Sequence, residues 1–123
     1  MKTIEEIKLN WKSQVFSSKE CKKAEQRLEC SLDDFFCSES PEAARKLVDL
    51  CGKLIFLSKK CIFDSNALLD SVDRLSEEEF DNHKDFLYEI SKSLALMVED
   101  HSALRDKIHL TKQLIKDLCE EDK

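Results

Sequence analysis

Residues 40–80 read SPEAARKLVDLCGKLIFLSKKCIFDSNALLDSVDRLSEEEF, and this stretch decides the fold. It opens on a helix start signal: Ser40 caps, Pro41 fills the first helical position where its missing N–H is harmless, and Glu42 favours the positive helix end. It closes on another, since Ser76 and Glu79 form a capping box in which each side chain satisfies an orphan backbone N–H. Between them Ala44, Leu47, Cys51, Leu54, Ser58, Cys61, Ser65, Leu68, Val72 and Leu75 recur at 3-4 spacing. Val48, Ile55, Ile62 and Leu69 widen this stripe, while Phe56 and Phe63 lie seven apart on the other side. Apolar residues on two faces mark the middle helix of an antiparallel three-helix bundle.

The flanks carry the same pattern. Thr3 and Glu6 make a capping box, and Ile4, Ile7, Trp11, Gln14, Ser18, Cys21, Glu25, Leu28, Leu32 and Phe35 follow in heptad register, apolar at both ends and polar in the middle. Downstream the seam reads Phe80, His83, Leu87, Ile90, Leu94, Met97, His101, Leu104, Ile108, Thr111, Ile115 and Leu118. The sequence therefore predicts an all-α, antiparallel three-helix bundle with coiled-coil packing, with helices at about 4–37, 41–75 and 77–120. At about 1.5 Å per residue the third is roughly 65 Å long, against about 50 Å for the others. A fold-back at residue 76 places Thr111 opposite Pro41, so residues 112–123 are expected to overhang the single domain formed by residues 1–123. Leu110, Leu114, Ile115 and Leu118 would then be open to a partner, with Phe35 and Phe36 near the first turn as further anchors. Leu96, Ala103 and Leu110 form a shorter stripe on the reverse side of the same helix.

Composition excludes several functions. The 123 residues include one glycine and one proline, too few for a Walker A loop, a dinucleotide fingerprint or a sheet joined by tight hairpins. The net charge is −6, and the excess of acids falls in residues 73–123, which carry fourteen acids and eight bases. No basic stripe with interleaved aromatics is present, so nucleic acid is not an expected partner. No apolar run approaches the roughly 20 residues that span a bilayer, and Glu5 and Glu6 interrupt the place of a signal peptide's apolar core. A protein of the cytoplasm is expected.

Side chains able to do chemistry are dispersed. The six cysteines include no CxxC, so zinc ribbons and thioredoxin-type motifs have no support. A hairpin turning near residue 40 sets Cys21 opposite Cys61 and Cys30 opposite Cys51. Cys51 and Cys61 are spaced CX9C, and Cys21 and Cys30 CX8C. Over residues 21–61 this arrangement resembles the twin CX9C helical hairpins of the mitochondrial intermembrane space. The resemblance implies nested Cys21–Cys61 and Cys30–Cys51 disulfides and a role in import or assembly. The other reading is of reduced thiols serving as small buried hydrophobes.

Lys19, Lys22, Lys23, Lys59 and Lys60 meet across the same hairpin. They form either a solvated rim or a basic patch that attracts acidic partners and activates Cys21 and Cys61. His83 and His101 fall on the third seam, with His101 opposite Cys51, and read as polar residues that fix register. No third ligand or orienting carboxylate accompanies them. No cofactor, metal, small-molecule substrate or catalytic residue is therefore expected. The function indicated is that of a non-enzymatic subunit or adaptor in a larger intracellular complex of tethering, trafficking or cytoskeletal/kinetochore type. Its partners are other helical proteins or further copies of itself, held by helix-in-groove docking.

Overall fold

The computed structural model describes residues 3–38 and 40–121, all helical apart from the caps and turns. The helices are α1 (Ile4–Ser38), α2 (Pro41–Asp73), α3 (Glu77–Asn82) and α4 (Lys84–Glu121). The start signals are in place. Thr3 Oγ1 accepts from the Glu6 N–H at 3.2 Å, Ser40 Oγ from Ala43 at 3.4 Å and Ser76 Oγ from Glu79 at 3.2 Å.

The bundle is all-α, and α2 is its central helix. It packs closely against both α1 and α4, which approach one another less closely and meet mainly through side chains. Because each long helix reverses direction, α1 and α4 run parallel. Their cross-contacts share one offset: Trp11 Nε1 donates to Ser93 Oγ, Ser18 meets His101, and Lys107 Nζ reaches Glu25, at separations of 82, 83 and 82 residues.

The expected third helix is broken. His83 N–H bonds to the Phe80 carbonyl at 3.1 Å, and the His83 carbonyl accepts from Leu87 N–H at 2.9 Å, so one residue ends α3 and starts α4. His83 therefore lies exposed at a cap, with φ −127° and ψ 26°, and not on the seam. The short α3 folds over the end of the bundle, where Phe80 packs on the core and stacks edge-on against Tyr88 with ring centroids 5.5 Å apart.

This break also corrects the register. Residues 74–83 are used in a turn and a short cap, so the long helix starts later and slides along α2. Ile115 is 1% exposed and packs in one cluster with Phe35, Ala44 and Leu47. The chain through Ile115 lies beside α2 and does not overhang it.

Two apolar clusters hold the three long helices. One contains Leu28, Phe35, Leu47, Leu54, Leu104, Ile108 and Ile115, and the other Ile7, Leu68, Val72, Leu87, Ile90 and Leu94. Each such leucine or isoleucine contributes about 2–5 kcal/mol against truncation to alanine. Near the second cluster Trp11 meets Phe86 edge-on at 6.4 Å, and Lys8 Nζ lies 4.9 Å over the Phe86 ring.

Candidate functional site

Between the two clusters lies a polar layer supplied by all three long helices. Gln14 Nε2 donates to the Cys61 carbonyl at 2.7 Å and to Ser65 Oγ at 2.8 Å. Ser18 Oγ and His101 Nε2 are 2.8 Å apart, and Ser58 Oγ donates to the Leu54 carbonyl at 2.8 Å. Cys21 Sγ lies 3.7 Å from Ser58 Oγ. All of these side chains are buried. Small hydroxyls and thiols fit here because two helix backbones flank each of them, and a hydroxyl one turn along can close on its own helix.

His101 is the exception. It is 1% exposed, and its Nδ1 has no hydrogen-bond partner among the described residues. It lines a cavity of about 300 Å³ with Lys22, Glu25, Asp100, Ala103, Leu104 and Lys107. A second cavity of about 420 Å³ shares Lys22 and Asp100 with the first and extends past Val15, Lys19, Leu96 and Met97. Together they mark a groove between α1 and α4, bridged at intervals by Trp11–Ser93, Ser18–His101 and the ion pairs of Lys107 with Glu25 at 3.8 Å and Glu29 at 3.4 Å.

The shifted register gives His101 new neighbours. It faces Ser18 and Cys21, and the charge of α4 that acts on Cys51 is that of Lys112. Cys21 and Cys61 face each other, as the hairpin spacing predicts. The Cys61 thiol draws Cys21 below the ordinary thiol range against the opposing effect of burial, with His101 and Ser58 acting in the same downward direction. Cys21 in turn pushes Cys61 upward, and burial adds to this. Of the five lysines only Lys60 acts on the pair, drawing Cys61 weakly downward, and it is outweighed by Cys21 and burial. Burial pushes the Cys51 thiol up, weakly opposed by Lys112.

The second rung of the expected staple is not formed. All six cysteines are free thiols, Cys30 is exposed and Cys51 is fully buried in the core. The lysines are likewise divided. Lys19 and Lys22 line the α1/α4 groove, Lys23 pairs with Glu20 at 3.3 Å, and Lys59 and Lys60 stand exposed on α2.

Of the expected docking residues, Phe35 and Ile115 belong to the core and offer no anchor. Leu110, Leu114 and Leu118 remain exposed, at 74%, 56% and 36%, and Phe36 is exposed as well. At 100° per residue, exposed Leu96 and Ala103 fall on the same arc of α4 as the three leucines. The 82-residue offset between α1 and α4 puts Phe36 level with Leu118 (36 + 82). The groove therefore ends between two apolar lips, Phe36 on α1 and the leucine row on α4.

No group of three His, Cys, Asp or Glu among the described residues is placed to hold a metal ion. No described helix is long and apolar enough to cross a membrane. Comparison with known proteins finds no matching family model, no similar curated protein and no similar solved structure.

Sequence reasoning missed two features. The first is the groove between α1 and α4, which no local pattern records because it depends on two helices sharing a third. The second is the meeting of Ser18, Cys21 and His101, which the unbroken third helix misplaced.

Proposed function

We propose that this chain is a non-catalytic helical subunit or adaptor of a larger intracellular protein complex, docking through the leucine row of α4. The observation that carries the reading is the apolar row Leu96, Ala103, Leu110, Leu114 and Leu118, left open while the two apolar clusters of the bundle's own seam are buried. Rows of exposed leucine cost solubility and give a lone chain nothing in return, whereas a partner helix that covers them contributes their burial to affinity. The central leucines Leu110 and Leu114 are the expected anchors, with the charged residues around them as a rim that excludes water. The thiols support the same reading, since the nested disulfide pair of a stapled intermembrane-space hairpin requires a Cys30–Cys51 rung that exposed Cys30 and buried Cys51 do not form.

The test uses native complexes recovered from the protein's own cells with thiols trapped. Leu114→Asp with Leu118→Asp should leave helicity and thermal stability unchanged and release the chain from its assembly, with all six cysteines alkylated. An assembly mass unaffected by the double substitution refutes the reading. The facing pair Cys21 and Cys61 favours one alternative, a hairpin stapled by a single disulfide in an oxidising compartment. The same mass measurement decides it, because that protein would reach the spectrometer with two cysteines protected.

A further inference from the structure

Besides the leucine row of α4 and the exposed pair Leu9 and Phe16 on α1, an open apolar face lies on the outside of α2. Gly52, Phe56, Phe63 and Ala67 share a narrow arc opposite the buried seam of that helix, and Phe56 and Phe63 are 67% and 74% exposed. The charges around the α4 and α2 faces are opposite in sign. Lys53, Lys59 and Lys60 flank the phenylalanines and residues 52–63 contain no acid, the acids of this face, Asp49, Asp64 and Asp70, lying toward or beyond its ends. Along the α4 row the flanking charges on the same arc are Glu89, Glu99, Asp100, Asp106 and Asp117, against Lys92 and Lys107.

Gly52 adds a second, independent observation. It is the only glycine of the chain and sits within α2, where glycine costs helix stability relative to alanine. A Cβ built on it meets nothing within 4 Å, so packing inside the bundle does not require its smallness. A missing side chain beside two exposed aromatic rings leaves a notch into which a neighbouring helix can settle closely.

We infer that the α2 face of one copy receives the α4 leucine row of a second copy of this chain. The inference rests on the docking role proposed for that row and names its partner. Pairing two α4 rows would set their acidic margins against each other, and pairing two α2 faces would do the same with lysines. Only the mixed pairing joins leucines to phenylalanines with lysines against carboxylates on the rim. Such a contact is heterologous, using different patches on the two copies, so it propagates head to tail or closes into a ring. One helix-on-helix contact is small, so the association is concentration-dependent, and its charged rim makes it salt-dependent.

The experiment is sedimentation velocity of the full chain over a concentration series, at low and high salt, with reductant present so that exposed Cys30 and Cys37 do not cross-link. At low salt the average mass should rise above the 14.3 kDa of one chain, and it should fall back at high salt. Lys53→Glu/Lys59→Glu/Lys60→Glu and Glu99→Lys/Asp106→Lys/Asp117→Lys should each stay monomeric alone and associate when mixed, because mixing restores an acidic row facing a basic face. Gly52→Ala should raise the melting temperature and weaken association by roughly tenfold, opposite directions that a purely structural glycine does not produce. A wild-type chain that remains folded and monomeric at every concentration and salt overturns the second-copy proposal. Docking by α4 is judged separately, by whether Leu114→Asp/Leu118→Asp releases the chain from its cellular assembly.

Discussion

The pair Ser18 and His101 should behave very differently when cut singly and together. Their 2.8 Å bond is buried, and His101 Nδ1 has no partner among the described residues. Ser18→Ala removes the bond and strands Nε2 beside the already unpaired Nδ1, a loss of about 1–3 kcal/mol. His101→Leu deletes the unpaired nitrogen and adds apolar contact, but leaves the Ser18 hydroxyl without its partner. That hydroxyl can turn to the Gln14 carbonyl one turn back, as Ser58 does to Leu54 at 2.8 Å, so the net change is expected within about 1 kcal/mol of zero. The double substitution replaces both polar groups with apolar ones and should stabilise the fold by about 1–3 kcal/mol relative to wild type. For 123 residues at about 2.1 cal/mol/K each, 1 kcal/mol corresponds to about 4 °C in Tm. Ser18→Ala should thus melt about 4–12 °C lower and the double variant about 4–12 °C higher. Urea unfolding followed by helical circular dichroism, with unchanged m-values, gives the free energies directly. A double variant less stable than wild type by more than about 1 kcal/mol would refute the reasoning, because His101 would then have to be satisfied in the native state.

Three further outcomes follow from burial and from the thiols. Ile115→Ala should cost about 2–4 kcal/mol, while Leu114→Ala next to it should change stability by about 0.5 kcal/mol or less; equal effects in urea unfolding would mean that Ile115 does not pack against Ala44 and Leu47. Burial raises the Cys51 thiol, and Cys21 and burial raise Cys61, so both bind a proton more tightly folded than unfolded. The contribution of Cys51 should then be complete below the ordinary thiol value of 9.0 and be lost as pH rises from there through its folded value, whereas the lowered Cys21 acts in the opposite sense, so Cys51→Ala should flatten the alkaline decline measured by urea titration at successive pH. Mild oxidation with diamide should join Cys21 to Cys61 in preference to other pairs and, over the 40-residue separation (61 − 21), stabilise the fold by up to about 4 kcal/mol; a peptide map showing another pairing would contradict the facing arrangement.

The fold was largely written in local signals. Thr3, Ser40 and Ser76 each cap a helix through a hydroxyl that its own sequence neighbourhood specifies, and the 3-4 seam of α2 from Ala44 to Val72 is buried residue for residue. The heptad arithmetic failed where it assumed continuity. Nothing in the period of the third stripe shows that His83 would end one helix and begin another, because Phe80 and His83 are in phase with Leu87. The break is a tertiary effect: burial of Phe80 against the second cluster holds the short α3 over the bundle end. The resulting slide moved His101 from Cys51 to Cys21 and drew Ile115 into the core. α1 ends at Ser38 and α2 starts at Pro41, so the pairing of Cys21 with Cys61 was readable from spacing alone.

The same division explains why the exposed residues carry the functional argument. A bundle that needed only to be stable would place apolar residues through its middle, where this chain puts Gln14, Ser18, Ser58, Ser65 and His101. Those groups are costly to bury, and their bonds are satisfied in only one register, so they act against sliding and against exchange of helices between copies. A chain that presents open apolar faces on α2 and α4 is especially exposed to that hazard, since an outer face can compete with the inner seam for the same neighbours. The polar layer resolves the competition. A helix docked in the wrong place would leave Gln14 and His101 buried without partners, whereas the outer leucines and phenylalanines make no such demand and remain free for docking.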